Sequence, residues 1–138
     1  MKLLGVDLGD ARTGISVSDE SGSFAFPLCV IKEYNSEKLA QKVADLAIKE
    51  NAAGLVVGLP KNMDGSEGFR AQACRKTGEK IAELAALPLV MWDERCTTVI
   101  AHNELSKMNA GAKKRKETVD AAAAVLILES YLNYKKQN

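Results

Sequence analysis

At 138 residues, 46% apolar and 27% charged, the chain holds material for one globular domain with a sizeable core, residues 1–138, and has no room for a second full domain. A formal net charge of +1 argues against a protein that coats nucleic acid by bulk electrostatics. Asp7 interrupts the N-terminal apolar run before it could act as a signal segment, and no stretch approaches membrane-spanning length, so the expected location is the cytoplasm.

Lys2 to Leu8 is a short apolar run that reads as a strand, and Gly9 to Gly14 as the turn after it. Ile15 and Val17 alternate with Ser16 and Ser18, Ser21-Gly22 marks a reversal, and Phe24 to Ile31 is β-rich. Three antiparallel strands therefore open the domain, and Pro27, which has no N–H for a ladder, sends the third to an edge. From Ser36 the period becomes helical, with Leu39, Val43, Leu46 and Ala47 on one face, and the helix should end near Asn51.

Gly54 to Gly58 is a continuous apolar strand of the kind buried on both faces of a parallel sheet, and Leu59 to Ser66 is a loop beyond its carboxyl end. A second helix is expected from about Gly68 to Ala86, then a strand from Pro88 to Trp92 that ends in Asp93-Glu94-Arg95. Thr97 or Thr98 can cap a third helix reaching about Lys107, followed by a loop through Asn109, Gly111 and a basic run. The last helix is expected to start near Glu117 or Thr118, and its apolar stretch from Ala121 to Leu128 must pack on the sheet. This order, an antiparallel meander feeding two parallel crossover units, implies an α/β fold with a mixed five-stranded sheet and helices on both faces.

Cys29, Cys74 and Cys96 are odd in number and form no C-x-x-C pair; with His102 the sole histidine, a closed zinc site lacks ligands and the thiols read as buried or incidental. Asp7 stands out, because an ionised carboxylate inside an apolar strand needs compensation. It belongs to a set: Asp7, Asp93 and Glu94 should lie beyond the carboxyl ends of strands, where open α/β sheets bind ligands. Asp120 joins them from the first turn of the last helix, where an acid also suits the positive helix terminus. Oxygen ligands drawn from separate elements suit hard divalent cations, and two such ions can stabilise both the attacking and leaving oxygens of a phosphoryl displacement. No Walker loop, Gly-x-Ser-x-Gly elbow or served histidine competes with this constellation.

Four segments in order, Gly5-Val-Asp-Leu-Gly-Asp-Ala-Arg-Thr-Gly14, Val57-Gly-Leu-Pro60 with Asp64-Gly65, Asp93-Glu-Arg-Cys-Thr-Thr98 and Val119-Asp-Ala-Ala-Ala-Ala-Val-Leu126, resemble the motifs of the YqgF family. These are bacterial RNase H-like proteins related to RuvC-type Holliday junction resolvases, and the likeness runs from Lys2 to about Leu132. It implies an RNase H-like fold and a nuclease of phosphodiester bonds that matures the 5′ end of pre-16S ribosomal RNA, with junction resolution on branched DNA as the older assignment. It also implies catalytic acids at Asp7, at Asp93 or Glu94, and at Asp120.

Strand alternation sends Asp93 and Glu94 to opposite faces, so one of them reaches the ions; Glu94 is favoured for its longer reach. The expected ligands of Mg²⁺ or Mn²⁺, two ions in all, are thus Asp7, Glu94 and Asp120. Cys96 stands where the family more often has an aliphatic residue, which touches packing only. The related resolvases carry an acid just after the strand that ends here in Gly58-Leu59-Pro60, and its absence counts against junction cleavage.

The expected partner is nucleic acid, an RNA precursor before branched DNA. Arg12, Arg95, Lys61 and Asn62, next to strand ends, are candidate phosphate contacts, although either arginine could equally neutralise a neighbouring carboxylate. So are Lys113, Lys114, Arg115 and Lys116, within a stretch from Lys107 to Glu117 that carries a local +4 and leaves −3 on the remainder. Two other readings stay open. Asp7 to Gly14 also resembles the phosphate loop of actin-like ATPases, although one domain is too short to close nucleotide between two, and a nucleic-acid-binding assembly factor with idle acids fits the same sequence.

Overall fold

The computed structural model describes residues 1–96 and 112–137, with the side chains of residues 96 and 112–120 excepted. Its strands are β1 (Leu3–Asp7), β2 (Arg12–Ser18), β3 (Ala25–Lys32), β4 (Gly54–Leu59) and β5 (Leu89–Asp93); its helices are α1 (Ser36–Lys49), α2 (Phe69–Ala85) and α3 (Ala112–Gln137). One sheet runs in the order β3-β2-β1-β4-β5. The first three strands are antiparallel, and β1, β4 and β5 are parallel, which is the mixed five-stranded sheet the element order implies. Pro27 lies on the edge strand, where a ladder bulge absorbs it.

Period-2 alternation divides the side chains between two layers. Leu4, Val6, Ile15, Leu55 and Val57 face α1 and α2 and form the larger core with Leu39, Val43, Ala47, Cys74 and Ile81. Leu3, Val56, Val90 and Trp92 face α3 and meet Ile127, Leu128 and Leu132. Asn35 caps α1 by accepting the N–H groups of Glu37 and Lys38 at 3.0 Å.

The last helix begins earlier than its apolar stretch suggests. The basic run is not a loop: Lys113 to Lys116 lie in the first turns of α3, which starts at Ala112 just after Gly111. Lysine, arginine and alanine are good helix formers, and nothing between Ala112 and Thr118 breaks a helix, so propensity extends it beyond the segment that packing requires. The helix expected between Thr97 and Lys107 falls outside the described residues.

Candidate active site

The acids gather where β1, β4 and β5 end. Gly5 faces α3, since a Cβ there would strike Ser16 Oγ and lie 2.9 Å from Leu128 Cβ. Asp7, two residues on, shares that face and is half-buried. Val6 pairs with Val57 in the parallel ladder, so Asp7 lies beside Gly58 one step further along. Glu94 comes to the same spot from the other side. It opens a short 3₁₀ turn, Glu94–Cys96, immediately after β5, and its carboxylate lies over Gly58, where a Cβ would be 2.5 Å from Oε1. A side chain at position 58 would also lie 2.6 Å from Ile127 Cδ1. The missing side chain of Gly58 thus makes a notch beneath Glu94, with Asp7 on the next strand.

Asp93 turns to the other face and is held there. Its carboxylate accepts the Arg95 guanidinium in a fork, with Nη2 at 2.6 Å and Nε at 2.9 Å, and the Arg95 backbone N–H at 2.9 Å. The Arg95 side chain holds the Asp93 carboxyl below its ordinary pKa and outweighs the opposing effect of burial. Arg95 Nη1 also donates to the Met63 carbonyl at 3.4 Å, which ties the loop after β4 to the end of β5. In that loop the Asn62 side-chain amide donates to Ser66 Oγ at 3.0 Å, while Gly65 adopts a left-handed φ of 90° to close the turn. Asn62 and Arg95 therefore shape this loop. Lys61 is half-buried, and its positive charge acts in the same direction as Arg95 on Asp93.

Arg12 opens β2, and alternation from Ser16, whose Oγ donates to the Ala124 carbonyl of α3 at 2.7 Å, sets it on the Asp7 face. Its Nη1 is buried without a hydrogen-bond partner among the described residues. α3 runs away from this rim: Ala124 and Leu128 lie at Gly5, Leu132 lies near Gly22, and Lys136 Nζ donates to the Ser23 carbonyl. Position 120 is one turn on the rim side of Ala124, and the Asp120 side chain lies outside the described residues, as do those of Lys113 to Lys116. Among the described residues no three His, Cys, Asp or Glu side chains form a group able to hold a metal ion, so Asp7 and Glu94 are the described part of the acid set.

A single mixed sheet clad on both faces, with acids at the carboxyl ends of its parallel strands, defines an RNase H-like protein. The model of the RuvX family, described as Holliday junction resolvase, matches residues 1–134, and the chain belongs to that family, the one whose motifs go by the name YqgF. It is 45% identical over 131 residues to a Rhizobium etli protein named "Putative pre-16S rRNA nuclease", covering 95% of this chain and 80% of that one. A Bacillus cytotoxicus protein of the same name is 40% identical over 137 residues, covering 98% of this chain and all of that one.

Among solved structures, T. thermophilus RuvC in complex with a Holliday junction substrate superposes with a TM-score of 0.63 at 13% identity, covering 99% of this chain and 96% of that chain. Fowlpox virus resolvase in complex with Holliday junction DNA gives 0.63 at 12% identity, covering 98% and 99%. At such identities the likeness is one of fold. No helix among the described residues is long and apolar enough to cross a membrane.

Gly58 was not singled out by sequence reasoning, although a glycine inside an otherwise apolar strand signals a close approach. For Arg95, neutralising a neighbouring carboxylate was one of the two uses expected, and its fork to Asp93 is that use; its tie to the Met63 carbonyl was not foreseen.

Proposed function

We propose that the chain is a cytoplasmic nuclease that hydrolyses phosphodiester bonds of nucleic acid with Asp7, Glu94 and Asp120 around one or two Mg²⁺ or Mn²⁺ ions, a precursor of 16S rRNA being its substrate. The observation that carries this reading is the Gly58 notch, a cradle that a Cβ would fill, bordered by Asp7 from β1 and Glu94 from the turn after β5. Its donor set is made of hard oxygens, which fits a divalent cation of this class. Asp7 and Glu94 would hold the ion together with Asp120, and when bound it would supply positive charge at the phosphate that is attacked.

The chain's own residues do the rest. Glu94, anchored by the turn that follows β5, holds its carboxylate over the notch. Arg12 is half-buried on the Asp7 face, its buried Nη1 lacks a partner among the described residues, and a phosphate contact at the rim would satisfy it. Asp93 and Arg95 hold the loop from Lys61 to Glu67 against the site, so Asp93 acts through Arg95 and not on the substrate. The basic first turns of α3 offset the repulsion between the acids and a polyanion.

A second reading, cleavage of branched DNA, is favoured by the description of the family model. Against it, the residues after β4 are Pro60 and Lys61, with no acid.

The test is cleavage by the purified chain, with Mg²⁺, with Mn²⁺ and with chelator, of labelled rRNA precursors, single strands and four-way junctions. Asp7→Asn and Glu94→Gln should each lower turnover by about a hundredfold or more, on the scale of losing one preorganised electrostatic group, whereas Asp93→Asn should cost much less. Binding without cleavage under every condition would assign the chain to the class of assembly factors.

A further inference from the structure

On the opposite side of the β1 end from Asp7, a cavity of about 370 Å³ opens between the first turns of α1 and α2. It begins at Leu8 and Gly9, the two residues that follow Asp7, so it shares the rim of the candidate active site. Its inner wall is apolar, made by Leu39, Ala73 and Cys74. Burial pushes the Cys74 thiol up to about 11, so the wall stays uncharged at neutral pH. Two aromatic rings line its mouth, and both stand almost wholly in solvent: Tyr34 is 85% exposed and Phe69 is 93% exposed. Neither contributes to the cores, whereas Tyr131 and Tyr134 both pack on Trp92. Beside Phe69 stands Arg70, whose guanidinium reaches Asp10 at 3.7 Å as a loose, solvent-exposed pair that a phosphate can displace.

We infer that this cavity is a stacking site for one unpaired base of the substrate strand, held by Tyr34 and Phe69, with Arg70 on the adjoining phosphate. The inference deepens the nuclease reading and rests on it for the identity of the ligand. Each part follows from chemistry. An uncharged inner wall edged by rings suits a neutral planar heterocycle, a cation at the edge suits the backbone once phosphate takes the place of Asp10, and aromatic stacking tolerates any base. Continuity with Asp7 through Leu8 and Gly9 then sets the stacked base close to the bond to be cut, so the enzyme acts on strands that offer an unpaired nucleotide there.

The test measures binding of fluorescein-labelled single-stranded RNA in chelator, using the full chain, against the same strand with one abasic position moved along it. Wild type should lose affinity at one abasic position, and Phe69→Ala and Tyr34→Ala should each weaken binding to the intact strand by about fivefold or more while removing that sensitivity. Phe69→Tyr should restore it and Phe69→Leu should not. Unchanged melting temperatures verify the fold, because both rings are exposed.

Equal binding of intact and abasic strands by wild type, absence of binding included, overturns the proposal. So does base sensitivity that survives in the ring variants, or full restoration by leucine. Cleavage is scored separately. Base sensitivity without cleavage leaves the stacking site standing and defeats the nuclease reading, and cleavage without base sensitivity does the reverse.

Discussion

The two faces of the sheet are built to different rules. Towards α1 and α2 the strands present mostly Leu, Val and Ile, among them Leu4, Val6, Ile15, Leu55 and Val57, and the helices answer with buried apolar residues. Towards α3 the same strands carry Gly5, Asp7, Ser16 and Gly58, and the apolar cluster is smaller. Strand glycines weaken a sheet, and a half-buried carboxylate weakens it further. One face therefore supplies stability, and the other gives some of it up to bring α3 and the acids close.

The sharpest way to break this comparison is a pair of substitutions, one per face. Gly58→Ala puts a Cβ against Glu94 Oε1 and Ile127 Cδ1, both at the ends of side chains that can turn aside. Cleavage should fall by about a hundredfold, through displacement of Glu94, while stability changes by about 1 kcal/mol or less. Ile81→Ala, fully buried on the other face, should do the opposite, costing about 2–5 kcal/mol in denaturant melts with turnover per folded molecule unchanged. If Gly58→Ala unfolds the protein and keeps its specific activity, the division between faces is wrong.

A smaller effect sharpens the same division. Ser16→Ala removes the buried hydrogen bond to the Ala124 carbonyl and should cost about 1 kcal/mol. Because Ala124 is one turn from position 120, cleavage should fall more than that stability loss explains, and a melt paired with a turnover assay measures both.

The smallest effect concerns pH. The carboxyl of Asp93 is lowered in the fold by Arg95, so the pair stabilises the protein above the ordinary aspartate value of about 3.9, and that stabilisation fades as pH falls through the lower folded value. For a partly exposed pair it amounts to about 1 kcal/mol at most. Below pH 4, Asp93→Asn should therefore lose stability less steeply than wild type, and in Arg95→Ala the Asp93 resonance should titrate at a higher pH.

Much of this was legible in the chain itself. Asp7 inside an apolar strand, and acids closing a later one, marked the rim, because a buried charge and a strand end are both local facts. The change from period 2 to period 3.6 at Ser36 fixed where the first helix begins, for the same reason. The start of α3 was misjudged because apolar periodicity reports which part of a helix is packed, and the basic turns before it are sustained by propensity alone. The Gly58 notch and the exposed rings at Tyr34 and Phe69 stayed hidden because each depends on what a distant segment brings alongside. The fork between Asp93 and Arg95 is local, yet a pair of charges two residues apart has many other uses.

The contact between Ser16 and Ala124 spans 108 residues of chain and that between Trp92 and Ser130 spans 38, so α3 is seated on the sheet by contacts distant in sequence. The face towards α1 and α2, by contrast, is complete once β5 has been made. During synthesis, therefore, a compact apolar half can form while Asp7 and Glu94 still lack the helix that carries Asp120. On the proposed assignment of Asp120, such an order of assembly keeps the acid set open until α3 has left the ribosome, so a chain still being made beside ribosomal RNA carries no finished cutting site.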